Sequence, residues 1–263
     1  YIQIDGWQGE FTADNIEMYL INNAMEQAGS FETSSEMINA LQAMMVRTVL
    51  NNQQGRITDT PVYEKNGWTG DANVMLDTIL YNFDAENVME TFLNMLADTQ
   101  EAFGNVADIV PSADSFTDNH PTWNTVFPFG ITRMCQYYGN YTYAEEMYEA
   151  LRTFAMTDIN IIRGQGWLWP GGSYGDWCSP STLTDGNAPI SAGASEGSKI
   201  TDNAMLYGAL TEIANLTRLL ADNAYDAGDR AQAEAYAADL AVYEDALENM
   251  YAAYNAKFFD EAN

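Results

Sequence analysis

The sequence predicts an all-α domain whose helices form two concentric layers, and three observations carry the prediction. Beyond residue 30, apolar residues recur at alternating steps of three and four. One segment, 72–83, is apolar on most sides (Val74, Met75, Leu76, Ile79, Leu80, Phe83), while its neighbour at 85–103 has one apolar face and many acids. A helix covered all round next to an amphipathic one is what an inner and an outer layer require. Long connections at 52–70, 104–120 and 161–200 are dense in Trp, Tyr, Asp, Gly and Pro. Loops of that length are usually functional or disordered, and this composition favours function.

Residues 1–30 stand apart. Tyr1-Ile2-Gln3-Ile4-Asp5-Gly6-Trp7 alternates, and Ile16 to Ile21 reads as a second short strand. Two lone strands are not stable in water, so they are expected to complete a sheet lying upstream. Thr33-Ser34-Ser35-Glu36 has the pattern of a capping box, and Met37, Leu41, Met44, Met45 and Thr48 follow at helical spacing. The spacing repeats in Val88, Phe92, Met95 and Leu96. It repeats again in Met147, Leu151, Phe154 and Ala155, behind a second capping box at Thr142-Tyr143-Ala144-Glu145. A last helix carries Tyr236, Leu240, Tyr243, Leu247, Met250 and Tyr254. The expected helices lie near 33–52, 70–83, 85–103, 121–138, 143–160, 201–225 and 229–257, and their apolar stripes read as core rather than as a cofactor box.

Charge narrows the partners. Ten basic against 38 acidic residues give a net charge of −28. Such a field repels phosphate backbones and anionic lipid heads, so nucleic acid and membrane surfaces are poor partners. It suits a secreted or cell-surface protein, though a generally acidic solvated surface is the simpler reading. No window approaches 18 consecutive apolar residues. Residue 1 does not read as the start of a signal peptide, but the chain is expected to begin in mid-domain, so this says little about compartment. Cys135 and Cys178 lack metal-ligand spacing, and the expectation is two buried thiols rather than a disulfide. The 6 Trp, 16 Tyr and 11 Phe fit sugar-stacking surfaces, although packing also uses such residues.

The stretch richest in chemistry is Asp59-Thr60-Pro61-Val62-Tyr63-Glu64-Lys65-Asn66-Gly67-Trp68-Thr69-Gly70-Asp71-Ala72. Three carboxylates and a Trp sit on a Pro- and Gly-punctuated loop ahead of the most apolar helix. Glycoside hydrolysis calls for one carboxylic acid to protonate the leaving oxygen and a second carboxylate to activate water. Flanking carboxylates can hold ring hydroxyls and raise the acid's pKa. Asp71 at a helix start has an ordinary alternative as a residue favoured by the helix dipole. A second cluster, Gly166-Trp167-Leu168-Trp169-Pro170-Gly171-Gly172-Ser173-Tyr174-Gly175-Asp176-Trp177-Cys178, makes a poor helix or strand but a good stacking surface. His120-Pro121-Thr122-Trp123-Asn124 is a Pro-led helix entry with an exposed aromatic, and His120 reads as a loop or capping residue without a visible partner.

Glu64-Lys65-Asn66-Gly67-Trp68-Thr69-Gly70-Asp71-Ala72 resembles the signature of family 78 glycoside hydrolases, the α-L-rhamnosidases, which runs Asp-Cys-Pro-x-Arg-Glu-x-x-Gly-Trp-Thr-Gly-Asp-Ala. Thr60 stands in place of the Cys, and Tyr63 in place of the Arg that supports the acidic cluster. Gly29-Ser30-Phe31-Glu32-Thr33-Ser34 looks like the family's junction between a β-sandwich and a helical toroid. Pro121-Thr122-Trp123 and Tyr174-Gly175-Asp176-Trp177 fall where the family has its next two sugar-contacting tryptophans.

The resemblance implies that residues 1–30 are the last strands of an upstream β-sandwich. Residues 31–263 would be the N-terminal part of an (α/α)6 catalytic toroid, incomplete because such a toroid needs twelve helices. It implies hydrolysis with inversion by an exo-acting enzyme that removes rhamnose from plant glycosides, pectin side chains or bacterial polysaccharides. Glu64 would be the general acid. Asp59 and Asp71 would hold sugar hydroxyls, and Trp68, Trp123 and Trp177 would line the pocket. The general base would lie beyond Asn263, in the rest of the same polypeptide. No metal or organic cofactor is needed. Two alternatives stand beside this reading: another toroid carbohydrate enzyme (a different glycosidase or a lyase), and a non-catalytic sugar-binding surface protein. The acidic loops argue against a lyase, which needs cations around a uronate.

Overall fold

A computed structural model describes residues 3–100, 104, 106–111, 119–171, 174, 175, 177 and 196–259. Cys178 and Asp176 lie outside the described residues. The fold is helical, in the order α1 (Glu36–Asn51), α2 (Thr69–Asn82), α3 (Glu86–Asp98), α4 (Pro121–Asn124), α5 (Val126–Tyr138), α6 (Tyr141–Glu146), α7 (Tyr148–Arg163), α8 (Glu196–Asp226) and α9 (Arg230–Phe258). One two-residue ladder pairs β1 (Glu26–Gln27) antiparallel with β2 (Phe83–Asp84), in the register Glu26 to Asp84 and Gln27 to Phe83.

The core collects one face from each helix. Met89, Phe92, Leu93 and Leu96 of α3 are buried, as are Leu151, Phe154, Ala155 and Ile159 of α7 and Tyr236, Tyr243 and Met250 of α9. Each large apolar side chain so enclosed contributes about 1.5–3 kcal/mol relative to an exposed one. α8 and α9 pack along their length as a helical hairpin, turned at Gly228, whose φ of +84° suits a residue without Cβ. α5 packs against α2, α3, α6 and α8. Its Arg133 bridges Asp77 of α2 at 2.9 Å and Glu212 of α8 at 2.8 Å. Arg152 of α7 bridges Asp239 of α9 at 2.9 Å. Cys135 is a buried free thiol whose pKa burial pushes up to about 11, so it stays protonated and inert.

The structure departs from the sequence expectations in several places. Neither Tyr1–Trp7, in its described residues, nor Ile16–Ile21 pairs as a strand; a single 3-10 turn occupies Ala13–Asn15. An extended segment becomes a strand only when a neighbour takes its N–H and C=O groups, and among the described residues none lies beside these. Helix α1 is capped by Ser35, whose hydroxyl accepts from the Ile38 amide, rather than by Thr33. Thr33 Oγ1 instead accepts from the Ser35 amide, a local turn that competes with the helix cap. Asn140 rather than Thr142 caps α6, because α5 already ends at Gly139 in the left-handed conformation. The helix expected at 121–138 breaks at Thr125, where Pro128 has no N–H to return to Asn124. The stripe on α1 is not core: Met37, Leu41 and Met44 are 79%, 53% and 55% exposed, and Val49 is the helix's buried residue. On α2, Val74 and Tyr81 are also exposed, so that helix is open along one stripe rather than covered all round. Among the described residues no helix is long and apolar enough to cross a membrane.

Candidate active site

The loop ahead of α2 is closed on itself. The Asp59 amide donates to the Asn66 carbonyl at 2.9 Å, and the Asn66 amide returns a bond to Asp59 Oδ1 at 2.8 Å. One Asp59 oxygen is thereby fixed. Between them the Tyr63 amide donates to Thr60 Oγ1 at 3.2 Å. Lys65 takes a φ of +56°, a strained value for a residue with a side chain. This turn brings Glu64 back over Trp68, whose indole Nε1 donates to Glu64 Oε2 at 2.9 Å. Tyr63, at the position of the family's Arg, is 86% exposed and points to solvent.

The loop then pairs with a second one. Val110 donates to the Gly67 carbonyl at 2.9 Å, and Thr69 donates to the Asp108 carbonyl at 2.8 Å. A Cβ on Gly67 would sit 1.8 Å from the Val110 carbonyl oxygen, so only glycine permits this approach. Gly70 has a comparable reason. A Cβ there would meet the Trp123 indole at 2.3 Å. The glycines of the motif are therefore spaces that the second loop and Trp123 occupy. Asp71 follows in the first turn of α2, where the helix N-terminus favours its charge.

Trp123 comes from α4, which starts at Pro121 because the missing N–H is not needed at that position. Its turn is anchored by buried polar groups. His120 is 8% exposed, and its Nδ1 donates to Asp108 Oδ2 at 2.7 Å. The Asn124 amide donates to Asp108 Oδ1 at 3.1 Å and to the Val106 carbonyl at 2.8 Å. The expectation that His120 lacks a partner is thus corrected. It opens α4, as a capping position does, but without a side-chain cap bond. Its ring is paired instead with Asp108, twelve residues upstream, a contact that only loop pairing creates.

Asp59, Thr60, Glu64, Trp68, Asp71, Trp123, Tyr174 and Trp177 line one cavity of about 380 Å³. All six site residues singled out from the sequence, carried on three separate segments, therefore face the same space. Tyr174 was not singled out, yet its ring lies 4.8 Å from Trp123, 5.9 Å from Trp68 and 5.7 Å from Trp177, centroid to centroid. Its place in the Trp- and Gly-rich stretch was the signal available. The site pairs a wall of aromatic rings with a cluster of acids. Burial, then the charge of Asp59 and, less strongly, that of Glu64 hold Asp71 above the ordinary carboxylate value, against its own backbone hydrogen bond. Asp71 is therefore close enough to feel the charges of both other acids. Among the described residues no group of His, Cys, Asp and Glu could hold a metal ion.

Comparison with known proteins gives one answer. Residues 26–263 match the bacterial alpha-L-rhamnosidase 6 hairpin glycosidase domain. An alpha-L-rhamnosidase of Formosa agariphila is 25% identical over 251 residues, 89% of this chain and 25% of the relative. One from Streptomyces avermitilis is 26% identical over 186 residues, 70% of this chain and 18% of the relative. The solved alpha-L-rhamnosidase of Dictyoglumus thermophilum superposes with a TM-score of 0.80 at 25% identity, over 97% of this chain and 26% of that one. The structure of the Streptomyces avermitilis enzyme complexed with L-rhamnose shares the fold, with a TM-score of 0.69 at 22% identity over 91% of this chain and 20% of that one. The chain thus spans about a quarter or less of the length of these relatives. With its helical layers, its acid- and aromatic-lined cavity and a match over nearly all its residues, the chain belongs to the bacterial α-L-rhamnosidase six-hairpin glycosidase family.

Proposed function

We propose that this chain carries the acid half of the active site of an exo-acting, inverting α-L-rhamnosidase. The observation that carries the reading is the single cavity in which Asp59, Glu64 and Asp71 face Trp68, Trp123 and Trp177. Glu64 is the general acid. Among the three acids it alone sits at the tip of a strained turn, on the solvent side, where a leaving group departs. Asp59, with one oxygen held by the Asn66 amide, and Asp71, at the helix start, accept hydrogen bonds from sugar hydroxyls. The tryptophans pack against the ring and exclude water. Inversion needs a second carboxylate about 6.5–9.5 Å from the acid to activate water. We assign that base to the part of the polypeptide outside residues 1–263. The acidic surface suits a secreted or cell-surface enzyme acting on neutral rhamnose caps of plant or bacterial glycans.

The test uses the full-length enzyme. Glu64→Gln should lower turnover on an alkyl rhamnoside by about two to four orders of magnitude. Aryl rhamnosides with good leaving groups, which need less protonation, should lose much less. An equal loss on both substrates would make Glu64 a positioning residue and overturn the assignment.

A further inference from the structure

The aromatic wall of the cavity rests on a buried polar layer that the proposed chemistry does not use. Asp108 is 1% exposed, and its two oxygens are taken by His120 and Asn124. A buried carboxylate is costly unless its lone pairs are satisfied, so this pairing holds both partners rigidly. The His120 ring lies 4.2 Å from the Tyr174 ring, tilted by 37°. Tyr174 in turn touches all three cavity tryptophans. Asp108 also reaches the acid loop, because its carbonyl accepts from Thr69. Two more fully buried aspartates grip the same turn. Asp158 accepts from the Asn119 amide, and Asp202 accepts from Thr122 at 3.4 Å. A six-residue turn held by three buried carboxyl groups is far more polar than packing alone would select.

We propose that the Asp108–His120 pair is a positioning device for the sugar pocket, setting the plane of Tyr174 and, through it, the three tryptophans. The proposal rests on the cavity being a sugar site. Neither His120 nor Asp108 lines the cavity. Their effect reaches the sugar through the Tyr174 ring.

His120→Asn separates this role from a merely structural one, because the Asn amide can still donate to Asp108 while the ring that meets Tyr174 is gone. The full-length enzyme is titrated with L-rhamnose by tryptophan fluorescence, and its kinetics on an aryl rhamnoside are measured. His120→Asn and Tyr174→Ala should each weaken L-rhamnose binding and raise KM about tenfold, with kcat falling less than about threefold. The double variant should be no weaker than the worse single one, since both act through one ring. The near-ultraviolet circular dichroism of the aromatic cluster should shrink in both. Unchanged affinity in folded His120→Asn, or additive losses in the double variant, would overturn the proposal. Should the wild-type enzyme itself not bind L-rhamnose, the sugar reading fails. The dichroism of His120→Asn then decides positioning alone, and an unchanged spectrum refutes it. If His120→Asn does not fold, Asp108→Asn, which keeps the shape but not the carboxylate, carries the same expectations and the same refutations.

Discussion

The indole N–H of Trp68 donates to Glu64 Oε2 at 2.9 Å, across a turn in which Lys65 holds a φ of +56°. One residue thus lines the cavity and fixes the rotation of the carboxyl group proposed as the acid. Trp68→Phe keeps an aromatic surface and removes the donor. A hydrogen bond to a charged group is worth about 1.5–3 kcal/mol, so kcat should fall by about tenfold or more on substrates that need protonation. Steady-state kinetics of the full-length enzyme on poor and good leaving groups check this. A loss confined to KM would mean that Trp68 only binds sugar.

Gly70→Ala tests whether the motif's glycine is a space for Trp123. Alanine is better than glycine in a helix by about 1 kcal/mol, so on propensity alone the variant should be stabilised. The added Cβ would sit 2.3 Å from the indole, and backbone at a helix start cannot retreat far. The expected outcome is a KM raised about tenfold, with no gain in the unfolding midpoint. A stabilised variant with normal KM would show that Trp123 moves aside freely.

Asp158 predicts a pH dependence of stability. Burial raises its pKa to about 7, only partly offset by the Asn119 amide. The folded state therefore holds a proton that the unfolded chain releases near pH 4. Between those values the native state binds more protons, so stability falls as pH rises, by on the order of 4 kcal/mol in total. Above pH 7 this contribution levels off. Asp158→Asn should flatten the profile of unfolding midpoint between pH 5 and 8. A variant with the wild-type slope would show that Asp158 is ionised throughout.

Residues 1–263 expressed alone should be inactive on an aryl rhamnoside and poorly folded. Met37, Leu41 and Met44 of α1 and Val74 of α2 present large apolar surfaces to solvent, and such surfaces call for a partner. The inverting reaction proposed above also needs a second carboxylate. Calorimetry and an activity assay decide the matter. A sharp cooperative transition with turnover would mean that these residues contain both a complete fold and a base.

Much was legible along the chain because it is local. The periodicity of Leu151, Phe154 and Ala155, or of Tyr236, Tyr243 and Met250, follows from the geometry of one helix turning one face inward. The stripe of Met37, Leu41 and Met44 shows where this reasoning stops. Periodicity says that a face is apolar, and only the neighbours determine whether it is covered.

By itself the sequence determined the helical class, the segments that carry Glu64, Trp123 and Trp177, and the family signature around Trp68. These are properties of spacing and residue type within short windows. The tertiary structure alone decided that Gly67 and Gly70 are spaces for Val110 and Trp123, that His120 is paired with Asp108, and that Tyr174 joins the three tryptophans. Each of these contacts joins residues far apart in the chain, and contact energies fall off within a few ångströms. A pattern along the chain does not record them until folding brings the loops together.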